Sequence, residues 1–189
     1  MVESSRVDSK VIVSEVNWPI QGAGLWSPIT GTYEKAEWRR DAPGETELDY
    51  ANFMLRFLAL TVCSGHVSEV YWWRLSARGY GLVDDQNGFA PRPAFTALKF
   101  FLHLLGDAVF VKKHDTPEDR YLLEFTQGAT RILMAWRVSG EQPLDGFGPF
   151  DQAWDAFGAL IERPVFRASP TYYRVEGAVD GSRDLCVSG

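Results

Sequence analysis

The 189-residue chain sets 19 Lys plus Arg against 25 Asp plus Glu, a formal net charge of −6, with 46% hydrophobic and 23% charged residues. Such a balance excludes a disordered chain and argues against a nucleic-acid partner, which needs clustered Lys and Arg; the nearest approach is Arg39-Arg40. The N-terminus, Met1 to Lys10, lacks the apolar core of a signal peptide and no later run is long enough to cross a bilayer. The expectation is therefore a cytoplasmic protein without membrane contact, the compartment of any longer parent chain being unknown. Cys63 and Cys186 have no metal or redox spacing and read as free thiols.

In chain order, KVIVS from Lys10 to Ser14 is a β-branched run that stops at Glu15 and gives way to the turn-rich NWPIQGAG, one buried strand and its exit loop. The loop continues through Pro28, Gly31, Pro43 and Gly44. That exceeds the ~12–15 residues at which a structureless connection is usually functional or disordered. A helix is expected from Thr46 to Cys63, opened by Thr46 with Asp49 three residues on and ended by Gly65. The strand SEVYWWRL, Ser68 to Leu75, follows, then a loop carrying Gly79, Gly81, Asp84, Asp85 and Gly88. A second helix runs from Pro93 to Leu105, with proline in its first turn and Gly106 as its stop. Strand, helix, strand, helix is the order of parallel α/β packing.

After Gly106 the texture changes to short apolar runs separated by turns: AVFVKKH, RYLLEFTQG, TRILMAWRV, QAWDAFGAL and PVFRASPTYYRV. These read as antiparallel strands, with a hairpin turn at Gln127-Gly128. The expected division is 1–106, 107–178 and a flexible tail over 179–189. The second part shows apolar alternation, as at Leu122, Ile132 and Met134, and no converging polar cluster, so it is expected to support the first part and not to bind ligand.

The string VIVSEVNWP, followed one helix later by EVYWWRL, then GYGLVDDQNGFAPRPAFTALKFFLHLL and a β-rich tail ending in SPTYYRV, resembles the end of clan A glycoside hydrolases, notably the family 39-like branch. The resemblance covers residues 10 to 105 and, more loosely, the β-tail. It implies an α/β plus all-β fold: the last βαβα portion of a (β/α)8 TIM barrel followed by a small antiparallel β-sandwich-like domain. It also implies Glu15 as the catalytic nucleophile, Trp72 or Trp73 as the sugar-facing floor, and Pro93 as the start of the eighth helix. The implied partner is a carbohydrate or glycoside.

The chemistry favours Glu15 independently, because catalytic groups of α/β barrels sit where strands end and loops leave room for substrate. A retaining glycosidase needs an ionised carboxylate at the anomeric carbon and a protonated one about 5–5.5 Å away. The plainer reading is that Glu15 caps a turn or pairs with an arginine. In the resembled family the acid/base glutamate follows an asparagine at the end of the fourth strand, and this sequence contains no Asn-Glu pair. A full barrel takes about 250 residues, so the stretch before the β-tail holds about two of eight βα units and reads as a fragment. Glu34, Glu37, Glu45 and Asp84 are loop carboxylates whose distance from Glu15 nothing in the sequence fixes.

Asn17 and Trp18 either line a pocket or pack their loop. Trp72 and Trp73 point to opposite faces of their strand, so only one faces the barrel mouth; Trp73, nearer the strand end, is the choice. Trp26, Tyr33 and Trp38 are either subsite walls or loop pins. His66, His103 and His114 share no ligand spacing and Asp84-Asp85 has no calcium-loop pattern, so neither metal nor cofactor is expected. Two functions stay open. One is a fragment of a retaining glycoside hydrolase, hydrolysing O-glycosyl bonds only when the missing barrel units are supplied. The other is a non-catalytic carbohydrate-binding or interaction module derived from one. Free strand edges predict self-association or pairing with a complementary barrel half.

Overall fold

The computed structural model describes residues 10–23 and 44–176. The chain divides into two compact units, Met1–Leu102 and His103–Gly189.

In the first unit, strand β1 (Val11–Val16) and strand β2 (Val67–Trp72) pair in parallel, joined in sequence by helix α1 (Glu47–Cys63). Helix α1 begins where the Thr46 hydroxyl accepts the Asp49 N–H at 3.0 Å and donates to its carboxylate at 2.6 Å, filling one of the four orphan donors of the first turn. Glu47 and Asp49 put negative charge against the positive end of the helix dipole. One face, Tyr50, Ala51, Met54, Leu55 and Ala59, is buried at helical spacing, and truncating Leu55 to Ala would cost about 2–5 kcal/mol. The helix stops at Ser64, and Gly65 follows at φ +73°, where a side chain would be strained.

The β1–β2 register slips twice: β2 has one extra residue between the Val11–Val67 and Ile12–Glu69 pairs, and from Val13, which faces Val70, to Val16, which faces Trp72, β1 has one extra residue. The extra residue of β1 is a bulge, and it leaves Ser14 and Glu15 exposed in succession where strict alternation would bury one of them. Strand β2 ends earlier than the sequence predicts, at Trp72, although the Trp73 N–H still reaches the Val16 carbonyl at 3.1 Å. The Trp73–Arg74 peptide bond is cis.

The stretch from 76 to 92, read as a loop, contains a short antiparallel pair, β3 (Val83–Asp84) and β4 (Ala90–Pro91). Ahead of it, Gly81 donates to the Ala77 carbonyl at 2.8 Å, and a Cβ at Gly81 would lie 2.5 Å from the Ala77 nitrogen, so only glycine fits. Buried Arg92 then ties three elements together: it pairs with Glu47 at the start of α1 and with Asp84 of β3 at 3.1 Å, and directly precedes helix α2 (Pro93–Leu105).

The second unit is built on a five-stranded sheet ordered β5 (Val109–Lys113), β6 (Arg120–Gln127), β7 (Thr130–Arg137), β11 (Thr171–Glu176) and β9 (Gln152–Trp154). Its pairings are antiparallel. The β6–β7 hairpin turns through Gly128 and Ala129, one residue later than predicted, with Gly128 at φ +61°. Central strand β7 does not alternate: Ile132 through Trp136 are all buried, as for a strand covered on both faces. The run read as one strand over 164–175 is two, β10 (Val165–Arg167) and β11, and β10 pairs with the unpredicted β8 (Glu141–Pro143). Leu144 and Phe166 from this ribbon pack on Leu122, Leu133, Ala135 and Tyr173 of the sheet. The Tyr173 hydroxyl fixes the corner, accepting the Val165 N–H at 2.8 Å within donating distance of the Val165 carbonyl (2.7 Å). QAWDAFGAL leaves its strand at Asp155, whose carboxylate accepts the Phe157 and Ala159 N–H groups at 2.9 Å.

Candidate active site

At the C-terminal ends of β1 and β2, Glu15, Asn17, Trp18, Pro19, Trp73 and Tyr80 enclose an open recess of about 160 Å³. Glu15 enters it from the bulge and is exposed. Trp73, half-buried, stacks on Tyr80 with ring centroids 5.3 Å apart at 27°, and the Arg74 guanidinium lies 5.3 Å from the Trp73 centroid. The walls are thus mostly aromatic, with one carboxylate, a pairing that suits a sugar ring's C–H face and its anomeric carbon.

Asn17 holds the two strand ends together. Its side-chain amide donates to the Trp73 carbonyl and, at 2.9 Å, to the Tyr80 carbonyl, while its oxygen accepts the Trp18 N–H at 2.7 Å. The Tyr80 carbonyl also accepts from the Tyr50 hydroxyl at 2.8 Å, and that hydroxyl accepts from the Trp72 indole N–H at 3.0 Å. Burial pushes the Tyr50 phenol up to about 12, against the opposing pull of its hydrogen bond with Trp72 and of the nearby Asn17 amide.

Of the residues singled out from sequence, Glu15, Asn17, Trp18 and Trp73 come together around the recess. Trp18 has both of its open roles: it lines the recess, and its ring packs at 5.5–6.0 Å from Phe53, Phe57 and Trp72. Trp72 does not line the recess; it is engaged with Trp18 and, edge-on at 5.7 Å, with Tyr50 on the helix side. Tyr80 and Pro19 are recess residues that sequence reasoning missed, and the one signal for Tyr80 was its position between Gly79 and Gly81.

Among the described residues Glu15 is the sole carboxylate lining this recess. Asp84 faces a different one, of about 210 Å³, with Glu47 and Arg92, where it pairs with Arg92 and accepts the Gln86 N–H at 3.1 Å. Glu45 is placed by its backbone, bonded at 2.8 Å to Pro19 and to Gln21. Glu34 and Glu37, with Trp26, Tyr33 and Trp38, lie outside the described residues. No group of three or more His, Cys, Asp or Glu among the described residues could hold a metal ion, and no described helix is long and apolar enough to cross a membrane.

No family profile matches the sequence, and no curated protein matches it. Solved structures do match. One is a family 30 glycoside hydrolase, an endoxylanase from Clostridium papyrosolvens, with a TM-score of 0.53 at 12% identity, covering 90% of this chain and 42% of that one. Another is a family 30 subfamily 8 xylanase from Clostridium acetobutylicum, with a TM-score of 0.48 at 13% identity, covering 68% of this chain and 39% of that one. The likeness is one of fold, and the chain spans about two fifths of those enzymes' length. It gives no support to the family 39-like branch.

Proposed function

We propose that this chain carries the nucleophile side of a retaining glycoside hydrolase site, with Glu15 as the attacking carboxylate and Trp73 as the floor under the sugar. The observation that carries this reading is that a bulge at the end of β1 puts Glu15 in a recess walled by Trp73, just past the end of the adjacent parallel strand, and by Tyr80 from the turn that follows. In the reaction the Glu15 carboxylate attacks the anomeric carbon, the bond to the leaving oxygen breaks, and a proton donor elsewhere protonates that oxygen; water then cleaves the glycosyl ester. Asn17 positions both strand ends through its two carbonyl contacts.

The two parallel strands with their helices stand, on this reading, for the last two βα units of a barrel. The outer edges of β1 and β2 are then completed by further parallel strands, or by a second chain. On this reading the proton donor comes from those units; among the described residues Glu15 is the one carboxylate that lines the recess. The chain alone therefore does not turn over glycosides with poor leaving groups. Carbohydrate binding without catalysis is the second reading, and the same lone carboxylate favours it.

Because a similar solved structure is an endoxylanase, the first probe is dinitrophenyl 2-deoxy-2-fluoro-β-xyloside, whose leaving group departs without an acid. The expected result is one fluoroxylosyl adduct on the Glu15 peptide by mass spectrometry, absent in Glu15→Gln. A label on another carboxylate refutes the nucleophile assignment. Saturable xyloside binding without any label decides for the binding module.

A further inference from the structure

The second unit has a larger groove that the proposed chemistry does not use. It runs between the segment from Pro143 to Ala153 and the segment from Ile161 to Pro164, and encloses about 830 Å³. We propose that this groove binds a neutral oligosaccharide, at a site separate from the Glu15 recess.

The groove is preformed. The Leu144 N–H bonds the Pro164 carbonyl at 3.0 Å and the Ile161 N–H bonds the Ala153 carbonyl at 3.0 Å, so the two walls are tied to each other. The Asp151 N–H reaches the Arg174 carbonyl at 2.9 Å, anchoring one wall to β11. Buried Leu144 and half-buried Phe150, whose ring lies 4.9 Å from that of buried Tyr173, form an apolar floor fixed to the core. A site with these supports binds without the cost of ordering its own loops. Its volume falls within the roughly 300–1,000 Å³ of small-molecule sites.

The rim selects the ligand class. Asp145, Asp151 and Glu162 set three carboxylates against the one guanidinium of Arg163, a formal charge of −2 that disfavours phosphates and acidic sugars. The carboxylates do not converge as a metal-holding group, which argues against a divalent cation. Dispersed acceptors, donors on Arg163 and Gln152, and an apolar floor match hydroxyls that donate and accept around C–H faces. A basic peptide would meet Arg163 in the wall. The alternation of the strands gave no sign of this site because most of its lining, Leu144 to Asp151 and Ile161 to Pro164, lies outside the strands.

The test is isothermal titration of the whole chain with xylohexaose, cellohexaose and hexalysine. Binding of at least one hexasaccharide is expected, with a component that is weakened about tenfold or more in Glu162→Ala/Arg163→Ala and in the near-isosteric Asp145→Asn and that persists in Trp73→Ala, which removes only binding at the recess. Both sets of substitutions are on exposed side chains, and an unchanged far-UV spectrum verifies the fold. No heat from either sugar at millimolar concentration overturns the proposal. So does sugar binding lost only in Trp73→Ala, or indifferent to both rim variants, or uptake of hexalysine in place of sugar. Labelling of Glu15 is read separately and is unaffected by any of these outcomes.

Discussion

Replacing Asn17 by Ala isolates what holds the rims of β1 and β2 in register. The side chain makes three hydrogen bonds, to the Trp73 and Tyr80 carbonyls and from the Trp18 N–H, and all three are lost together. The Tyr80 carbonyl keeps the Tyr50 hydroxyl at 2.8 Å, so only the Trp73 carbonyl and the Trp18 N–H are stranded. With net values near 1 kcal/mol per bond and a further penalty for partly buried orphans, the expected local loss is about 2–3 kcal/mol. The assay is native-state hydrogen exchange read by mass spectrometry. The Trp73 amide, bonded to Val16 at 3.1 Å, should exchange roughly 30–150-fold faster, each 1.4 kcal/mol being about tenfold. The β6–β7 hairpin in the other unit serves as an unaffected control. Exchange at Trp73 within about threefold of the parent chain would refute the idea that Asn17 ties the strand ends.

Gly81→Ala should destabilise the Ala77–Val83 turn by more than about 2 kcal/mol, because the new Cβ would meet backbone at 2.5 Å from the Ala77 nitrogen; an unchanged melting temperature would contradict it. The buried Tyr50 phenol, raised to about 12, is neutral in the fold, so its contribution is complete below pH 10 and is lost as pH rises toward 12. Urea unfolding across that window should show a loss on the order of 2–3 kcal/mol that is reduced in Tyr50→Phe. Burial also lifts the Cys63 thiol to about 11, so in a Cys186→Ser background its reaction with Ellman's reagent at pH 8 should be slower than a free thiol's by roughly two orders of magnitude. Reaction at the free-thiol rate in the folded chain would exclude that environment.

Local signals carried much of the first unit. Thr46 with Asp49 marked the start of α1 and Gly65 its end, because capping is chemistry between near neighbours. Pro93 and Gly106 bracketed α2 for the same reason. The parallel pairing of β1 and β2 followed from a strand, a helix and a strand in order. Less local features escaped: β3, β4 and β8 are too short to have a period, and each is held by a partner strand.

The residues of the site divide along the same line. Glu15 and Trp73 were singled out by the resemblance of their flanking motifs and by their place where strands end, and Asn17 and Trp18 by following Glu15 directly. The order of elements determined the α/β-then-β organisation, and motif context named the candidates. Tertiary structure alone decided which way they face. The bulge that exposes Glu15 exists only relative to β2, and Asn17 is committed to carbonyls 56 and 63 residues away. Tyr80 reaches the recess through a turn that glycine permits, and Trp72 is drawn to the helix side by Tyr50. Propensity and capping act over a few residues and are written in the chain, whereas register, burial and hydrogen-bond partnership are properties of pairs that only folding brings together.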